Sequence, residues 1–346
     1  MRKAFEIAGT RVAPGARDLI DLPMPKLSSH TNLSMPVHVV HGRRDGPTLF
    51  VSAAVHGDEL NGIEVIRRVL ANKSVNKLKG TLVAVPVVNA YGVIHESRYL
   101  PDRRDLNRSF PGSEQGSLAA RLANLFMEEI VKRCTHGIDL HTGAIHRTNL
   151  PQIRANLDDA DTARLAHAFG VPVVLNAQIR DGSLRASASE LGIPMLLYEA
   201  GEALRFDEVS IRAGVVGVIN VMRELGMLPA SKRRRGASRE PFVARRSGWV
   251  RAPQSGMLSA IVALGTRVSK GETLGYIDDP YGGNRYQVQS NAEGVVIGKL
   301  ELPLVHEGDA VYHIARFSDD IDDVAEEVEA FHADYADAIS PNGVAG

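Results

Sequence analysis

From residue 48 to residue 225, continuous apolar runs alternate with stretches whose apolar residues recur every three or four positions. Thr48-Leu49-Phe50-Val51-Ser52 opens the series and predicts a strand over 48–55. Leu60, Ile63, Ile66, Val69 and Leu70 then fall on one stripe of a helix. Residues 81–88 form a β-branched run without alternation, which suits a strand covered on both faces. Pro86 lacks an amide hydrogen and belongs near the end of that strand. Ser117 caps a helix with Leu118, Leu122, Leu125, Phe126 and Ile130 at helical spacing. The pattern continues as a short strand over 137–140, a helix over 159–169, strands over 171–175 and 194–198, and a helix over 207–225. Strands alternating with helices predict an α/β layered fold. Upstream, 35–41 reads as a strand and 12–27, with its prolines and glycines, as extended chain and loop. The irregular stretch 91–116 is long for a compact domain, and such loops are usually functional.

The pattern changes at Ser231-Lys232-Arg233-Arg234-Arg235-Gly236-Ala237-Ser238-Arg239, a basic segment that reads as a solvated linker. Beyond it the chain is β-rich and weakly repetitive. Val250, Gly256, Val268, Gly271 and Ile277 match Val288, Gly294, Val305, Gly308 and Ile314. Two such halves resemble the flattened barrel of lipoyl and biotinyl carriers, in which a lysine between the halves carries the cofactor. Here the connection 278–285 contains no lysine, so the likeness concerns architecture and a swinging-arm role is not expected. The expected organisation is a catalytic α/β domain over 1–235, a β-rich domain over 240–320 that restricts the site, and an acidic tail over 321–346 that forms an exposed helix or a frayed end.

Composition narrows the classes. The 346 residues suffice for a large core and two domains. Forty basic against 41 acidic residues, a net charge of −1, give no support for nucleic acid as the main partner. No run of 18 apolar residues suggests a membrane span, and no apolar segment follows the basic N-terminus as in a secretory signal. A single cysteine, Cys134, excludes an intrachain disulfide, and a cytoplasmic location is the default expectation.

His56 and Glu59 stand where the 48–55 strand gives way to a helix. Three apart on a first helical turn they would share a face, and an imidazole and a carboxylate on one face can hold one zinc ion. A helix cap or a salt bridge produces the same spacing, so the pair matters only in company. His141, at the end of the 137–140 strand, supplies the company, because sites in open α/β sheets form beyond strand carboxyl ends. Two imidazoles and one carboxylate leave a fourth position for water, the arrangement of catalytic zinc. Asp139 either orients a ligand from behind or begins the strand. Glu199, delivered by the run Met195-Leu196-Leu197, is the candidate general base, with Glu202 its rival. The long loop offers Arg98, Arg103, Arg104, Asp105, Asn107 and Arg108; an Asn beside an Arg can hold a carboxylate by an amide and a guanidinium fork.

His56-Gly57-Asp58-Glu59, Asp105-Leu106-Asn107-Arg108 with Phe110-Pro111-Gly112, Asp139-Leu140-His141-Thr142-Gly143, and Glu199 before Ala200-Gly201 occur in this order. Together they resemble the succinylglutamate desuccinylase/aspartoacylase family of the zinc carboxypeptidase superfamily, over residues 35 to about 320. The resemblance implies a zinc-carboxypeptidase-like mixed sheet flanked by helices, with a C-terminal all-β barrel-sandwich-like domain. It also implies a zinc-dependent amidohydrolase that releases the acyl group of a small N-acyl amino acid. By that likeness His56, Glu59 and His141 bind zinc, Glu199 is the base, and Asn107 and Arg108 hold the substrate carboxylate. The arginine that polarises the scissile carbonyl matches Arg98, with Arg103 a rival, and a second substrate arginine matches Arg185; the spacing departs from the family's at both. A peptide-trimming carboxypeptidase and a catalytically silent zinc-binding protein are the competing readings. The acyl group, the amino acid and the oligomeric state are not given by the sequence.

Overall fold

A computed structural model of the chain describes residues 2–177, 180–230 and 240–336. The first strands are β1 (Arg17–Met24), β2 (Leu33–His41) and β3 (Arg44–Ala53). Helix α1 (Asn61–Ala71) leads to β4 (Lys79–Val85), and α2 (Leu118–Glu129) leads to β5 (His136–Gly143). Then follow β6 (Arg147–Ala155), α3 (Ala160–Phe169), β7 (Val173–Asn176), α4 (Leu184–Glu190), β8 (Met195–Glu202) and α5 (Glu208–Glu224). Beyond the linker, whose residues 231–239 lie outside those described, come β9 (Phe242–Ala244), β10 (Arg246–Arg251), β11 (Gly256–Ala260), β12 (Thr273–Asp278), β13 (Arg285–Gln289), β14 (Gly294–Leu300), β15 (Ala310–Arg316) and α6 (Ile321–Ala336).

One mixed sheet organises the molecule, in the order β10-β15-β14-β6-β8-β5-β3-β4-β2-β1. Its centre is parallel, β8 with β5, β5 with β3 and β3 with β4. These strands carry the unalternating apolar runs because both their faces are covered. One core layer joins Leu49, Val51 and Leu140 to Ile66, Phe169 and Val218 beneath α1, α3 and α5. The opposite layer joins Phe50, Val83 and Val85 to Leu122, Phe126 and Leu184 of α2 and α4. Helix α1 lies so close to the sheet that a β-carbon on Gly62 would meet those of Ala53 and Leu140 at 2.7 and 2.8 Å.

Four elements differ from expectation. The 12–27 stretch contains β1, an edge strand fully registered on β2. Strand β6 was not expected, because Arg147-Thr148-Asn149-Leu150-Pro151-Gln152 shows no apolar alternation. Pro151 sits where β6 changes partner: residues 147–149 pair with β14 and 152–155 with β7, so the strand tolerates a residue without an amide hydrogen there. The acidic tail is a helix to Ala336, docked through buried Val324, Val328 and Phe331; residues 337–346 lie outside those described. Finally, the β-rich segment is continuous with the main sheet, since β14 pairs with β6 and β9 with β7. A second, four-stranded sheet built on β13-β12-β11 completes it, and the connection 278–285 is the β12–β13 hairpin. Among the described residues no helix is long and apolar enough to cross a membrane.

Candidate metal centre and active site

Past the end of β3 the chain leaves the sheet abruptly. Ala54 adopts a left-handed φ of 51°, and Gly57 packs against backbone so tightly that a β-carbon would meet Gly92 C at 2.0 Å. The Glu59 amide closes this turn on the His56 carbonyl at 3.2 Å. The pair therefore comes from a loop turn, with α1 beginning two residues later, and not from the first turn of the helix as its spacing predicts. The turn serves as well as a helix would: His56 Nδ1 lies 2.7 Å from Glu59 Oε1. Strand β5 runs past residue 140 to Gly143, so His141 projects from the strand itself, its Nδ1 2.7 Å from Glu59 Oε2. All three residues are buried, and one donor atom from each lies within 4.8 Å of the others.

Both imidazoles are held from behind by carboxylates. His141 Nε2 is 2.7 Å from Asp139 Oδ2, and Asp139 Oδ1 accepts from Ser52 Oγ at 2.7 Å. His56 Nε2 is 3.1 Å from Asp105 Oδ1, and Asp105 Oδ2 accepts from Arg98 at 3.1 Å. Arg98 also donates to Glu59 Oε1 at 3.1 Å. Burial alone would push His56 down, but Glu59 and Asp105 outweigh it and raise it. The same balance, through Asp139 and Glu59, raises His141. Burial works to raise Glu59, yet His56 and His141 hold it well below the usual carboxylate range. Positive charge is thus favoured around Glu59. Two imidazole nitrogens and a carboxylate, with both remote nitrogens engaged by carboxylates, fit a divalent ion.

The cluster lies in a cavity of about 930 Å³. Glu199 lines it as the register partner of His141 on the neighbouring parallel strand, and forms an ion pair with Arg154 of β6. Glu202 is not among the lining residues; it accepts from the His146 amide and pairs with Arg205. Arg98, Asn107, Arg108 and Arg185 all line the cavity. Asn107 Oδ1 accepts from the Leu184 amide at 2.9 Å, which leaves its NH₂ group as a donor. Arg185, buried near the start of α4, is lowered to about 10 by burial and by Arg154 and Arg180. Arg103 stands apart: exposed, at a left-handed φ of 62°, and absent from the lining.

Several lining residues carried no signal. Arg154 belongs to the unexpected β6, and Arg180 to the loop before α4. Arg245, Arg246, Trp249 and Arg316 enter from beyond the linker. Asp105 was legible as part of the Asp-Leu-Asn-Arg run, but nothing in the spacing ties it to His56.

The model of the succinylglutamate desuccinylase/aspartoacylase catalytic domain matches residues 45–225. The N-alpha-acetyl-L-2,4-diaminobutyric acid deacetylase of Halomonas elongata is 27% identical over 296 residues, covering 82% of this chain and 85% of that one. Among solved structures, the succinylglutamate desuccinylase/aspartoacylase of Rhodobacter sphaeroides aligns with a TM-score of 0.79 at 24% identity, over 87% of this chain and 96% of that one. The product-bound ectoine utilization protein EutE (DoeB) of Ruegeria pomeroyi aligns with a TM-score of 0.78 at 23% identity, over 91% and 99%. The mixed sheet, its helices and the β-rich C-terminal region are the fold of these neighbours, and with more than half of its length under the family model the chain belongs to the succinylglutamate desuccinylase/aspartoacylase family.

Proposed function

We propose that this protein is a zinc-dependent deacylase that hydrolyses the amide bond of a small N-acyl amino acid. The observation that carries the reading is the buried His56–Glu59–His141 donor set in an arginine-lined cavity, with Glu199 on the adjacent strand. The family and the deacetylase named from Halomonas elongata support the same reaction class. A zinc ion held by His56, Glu59 and His141 would supply Lewis acidity and lower the pKa of a coordinated water to about 7. Glu199 takes the proton of the attacking water and returns it to the departing amine. Arg98 donates to the carbonyl oxygen as it gains charge, and Asn107 with Arg108 holds the substrate carboxylate. Arg154, paired with Glu199, fixes the direction of the Glu199 carboxylate and is a positioning residue. The Halomonas relative is named for a substrate with a second amino group; here the many arginines of the lining favour an acidic substrate.

The residues from 240 onward line the cavity through Arg245, Arg246, Trp249 and Arg316, which supports small molecules over peptides as substrates. Glu199→Gln tests the reading. It keeps the shape of the side chain and removes the base, so bound zinc should be unchanged while kcat falls by about 10² or more, the scale of general acid–base catalysis. A Glu199→Gln protein that lost zinc but turned over normally when the metal was resupplied would mean that Glu199 is a ligand and not the base.

A further inference from the structure

Beside the Glu199–Arg154 ion pair lies a buried amide that the resting protein leaves unused. Gln152 of β6 is fully buried, and neither polar atom of its side chain has a hydrogen-bond partner among the described residues. It is the one buried side chain among them with two such atoms. Asn61, also buried, is bonded at both ends: it donates to the Ala200 carbonyl and accepts from the Asp207 amide. A buried polar group without a partner loses its hydration and gains nothing in exchange. A Leu or Met of similar volume would fill the same space without that loss.

The position of Gln152 explains why an amide stands there. Register sets His141, Glu199, Gln152 and Val173 in one row across β5, β8, β6 and β7. Residues directly opposite on antiparallel strands, such as Glu199 and Gln152, share a face with β-carbons about 4.5–5.5 Å apart. Arg154, two residues along β6, belongs to the same face and pairs with Glu199 Oε2. Strand β8 lies between β5 and β6, so this ion pair draws a Glu199 oxygen toward β6 and away from His141. In the proposed reaction Glu199 works at two points, first on the attacking water and then on the departing amine. Turning toward the donor set takes the carboxylate off Arg154, whose guanidinium then has donors to place and no acceptor of its own. Gln152 Oε1 is an acceptor on the same face of the same strand. His313 Nδ1 is another buried atom without a partner among the described residues. Burial, with Arg154 and Arg180, lowers that imidazole to about 3, so it stays neutral and keeps an acceptor nitrogen.

We infer that Gln152 is a positioning residue whose Oε1 is the second seat of Arg154, taken when Glu199 turns toward the donor set and given up when Glu199 returns. The inference deepens the deacylase reading and takes the role of Glu199 from it. A Gln that only filled space would be indifferent to Glu199.

The test is a double-mutant cycle in thermal melting of the dialysed apoprotein, with Gln152→Met made in the wild type and in Glu199→Ala. Gln152→Met keeps the length of the side chain and removes both hydrogen-bonding atoms. In the wild type it should leave Tm unchanged or raise it. In Glu199→Ala, where Arg154 has lost its first partner and sits on Gln152, the same change should lower Tm by about 2–4 °C. Equal effects in the two backgrounds overturn the second seat. A lower Tm in the wild-type background overturns it too, because the amide would then be bonded at rest. The cycle needs no turnover. In the zinc-loaded enzyme, assayed on a panel of N-acetyl amino acids, Gln152→Met should lower kcat about tenfold, with KM within about twofold and zinc content unchanged. An unchanged kcat overturns the role in turnover. If the wild type hydrolyses no N-acyl amino acid while the melting cycle is coupled, the deacylase reading fails and the seat stands. Gln152→Leu replaces Gln152→Met if the latter does not melt cooperatively.

Discussion

Replacing Asp139 by Asn preserves the shape of the metal centre and removes one buried charge. Asp139 is fully buried, with Oδ2 2.7 Å from His141 Nε2 and Oδ1 2.7 Å from Ser52 Oγ. An Asn can present its oxygen to the imidazole and its NH₂ to the serine, so the ring keeps its orientation. What is lost is the charge that makes His141 Nδ1 a better donor to an ion. Outer partners of this kind are worth about 10- to 100-fold in metal affinity, or ~1.4–2.7 kcal/mol. Asp105 serves as an internal control. It lies 3.1 Å from His56 Nε2, its side chain is 17% exposed, and Arg98 already shares its charge. Solvent and the guanidinium screen it, so Asp105→Asn should cost less, about threefold to tenfold. The assay is competition for zinc against a chromogenic chelator at pH 7, starting from dialysed apoprotein, with thermal melting of the apo forms to confirm folding. The reasoning fails if Asp139→Asn binds zinc as tightly as wild type, or if Asp105→Asn is the more damaging change.

Arg98→Ala should lower kcat/KM by about 10²-fold or more, the scale of losing one oxyanion donor, whereas Arg103→Ala, exposed and outside the cavity, should stay within about twofold; equal effects would contradict the placement of Arg98. Glu64 accepts from Arg67 and Arg68, and Arg68 reaches Glu208 across to α5; the bond from Arg67 foremost brings Glu64 down to about 2. A depressed carboxylate contributes stability that is full above its unfolded value and lost as pH falls through its folded one, so Glu64→Gln should cost about 0.2–1 kcal/mol near neutrality. In urea melts that gap should close between about pH 4.5 and 2, and a gap persisting below pH 2 would refute the assignment.

The central sheet was legible because covered parallel strands write unbroken apolar runs and their helices write a 3.6-residue stripe. The starts of α3 and α5 follow from Asp159 and Asp207, whose carboxylates accept the Thr162 and Ser210 amides. The candidate donor set was legible for a different reason: metal ligands must be particular residue types, and His56 and Glu59 follow a recognisable strand while His141 stands near the end of another. Most of the lining arginines were not legible: Arg98, Arg108 and Arg185 were named from the sequence, but Arg147, Arg154, Arg180, Arg245, Arg246 and Arg316 were not. An Arg at the end of a strand is written the same way whether it faces a cavity or bulk water, and only the register of β6, β7 and β9 tells Arg154 and Arg245 from a solvated pair. Arg98 and Arg103 illustrate the limit within one loop. Both follow a loop residue with no periodicity, and what separates them is the contact of Arg98 with Glu59 and Asp105, which lie near and far in sequence.

The β-rich segment bears on substrate size through its bonding more than its shape. A lid joined by a flexible linker could swing away and admit a peptide. Here β14 hydrogen-bonds to β6 at Gly298 with Asn149 and Lys299 with Thr148, and β9 hydrogen-bonds to β7. Strand β6 also carries Arg154, the partner of Glu199, so one strand serves both the proposed base and the cavity wall. Opening the mouth would break ladder bonds on a strand whose position the chemistry needs, and would expose its edge. A close contact at the junction points the same way, since a β-carbon on Gly298 would meet Asn149 Oδ1 at 2.6 Å. The glycine lets β14 approach a cavity-lining residue directly. We therefore read the β-rich segment as a fixed wall of the cavity, and a carboxypeptidase, which needs an open cleft for a chain to lie across, is disfavoured by the pairing of β14 with β6 and of β9 with β7.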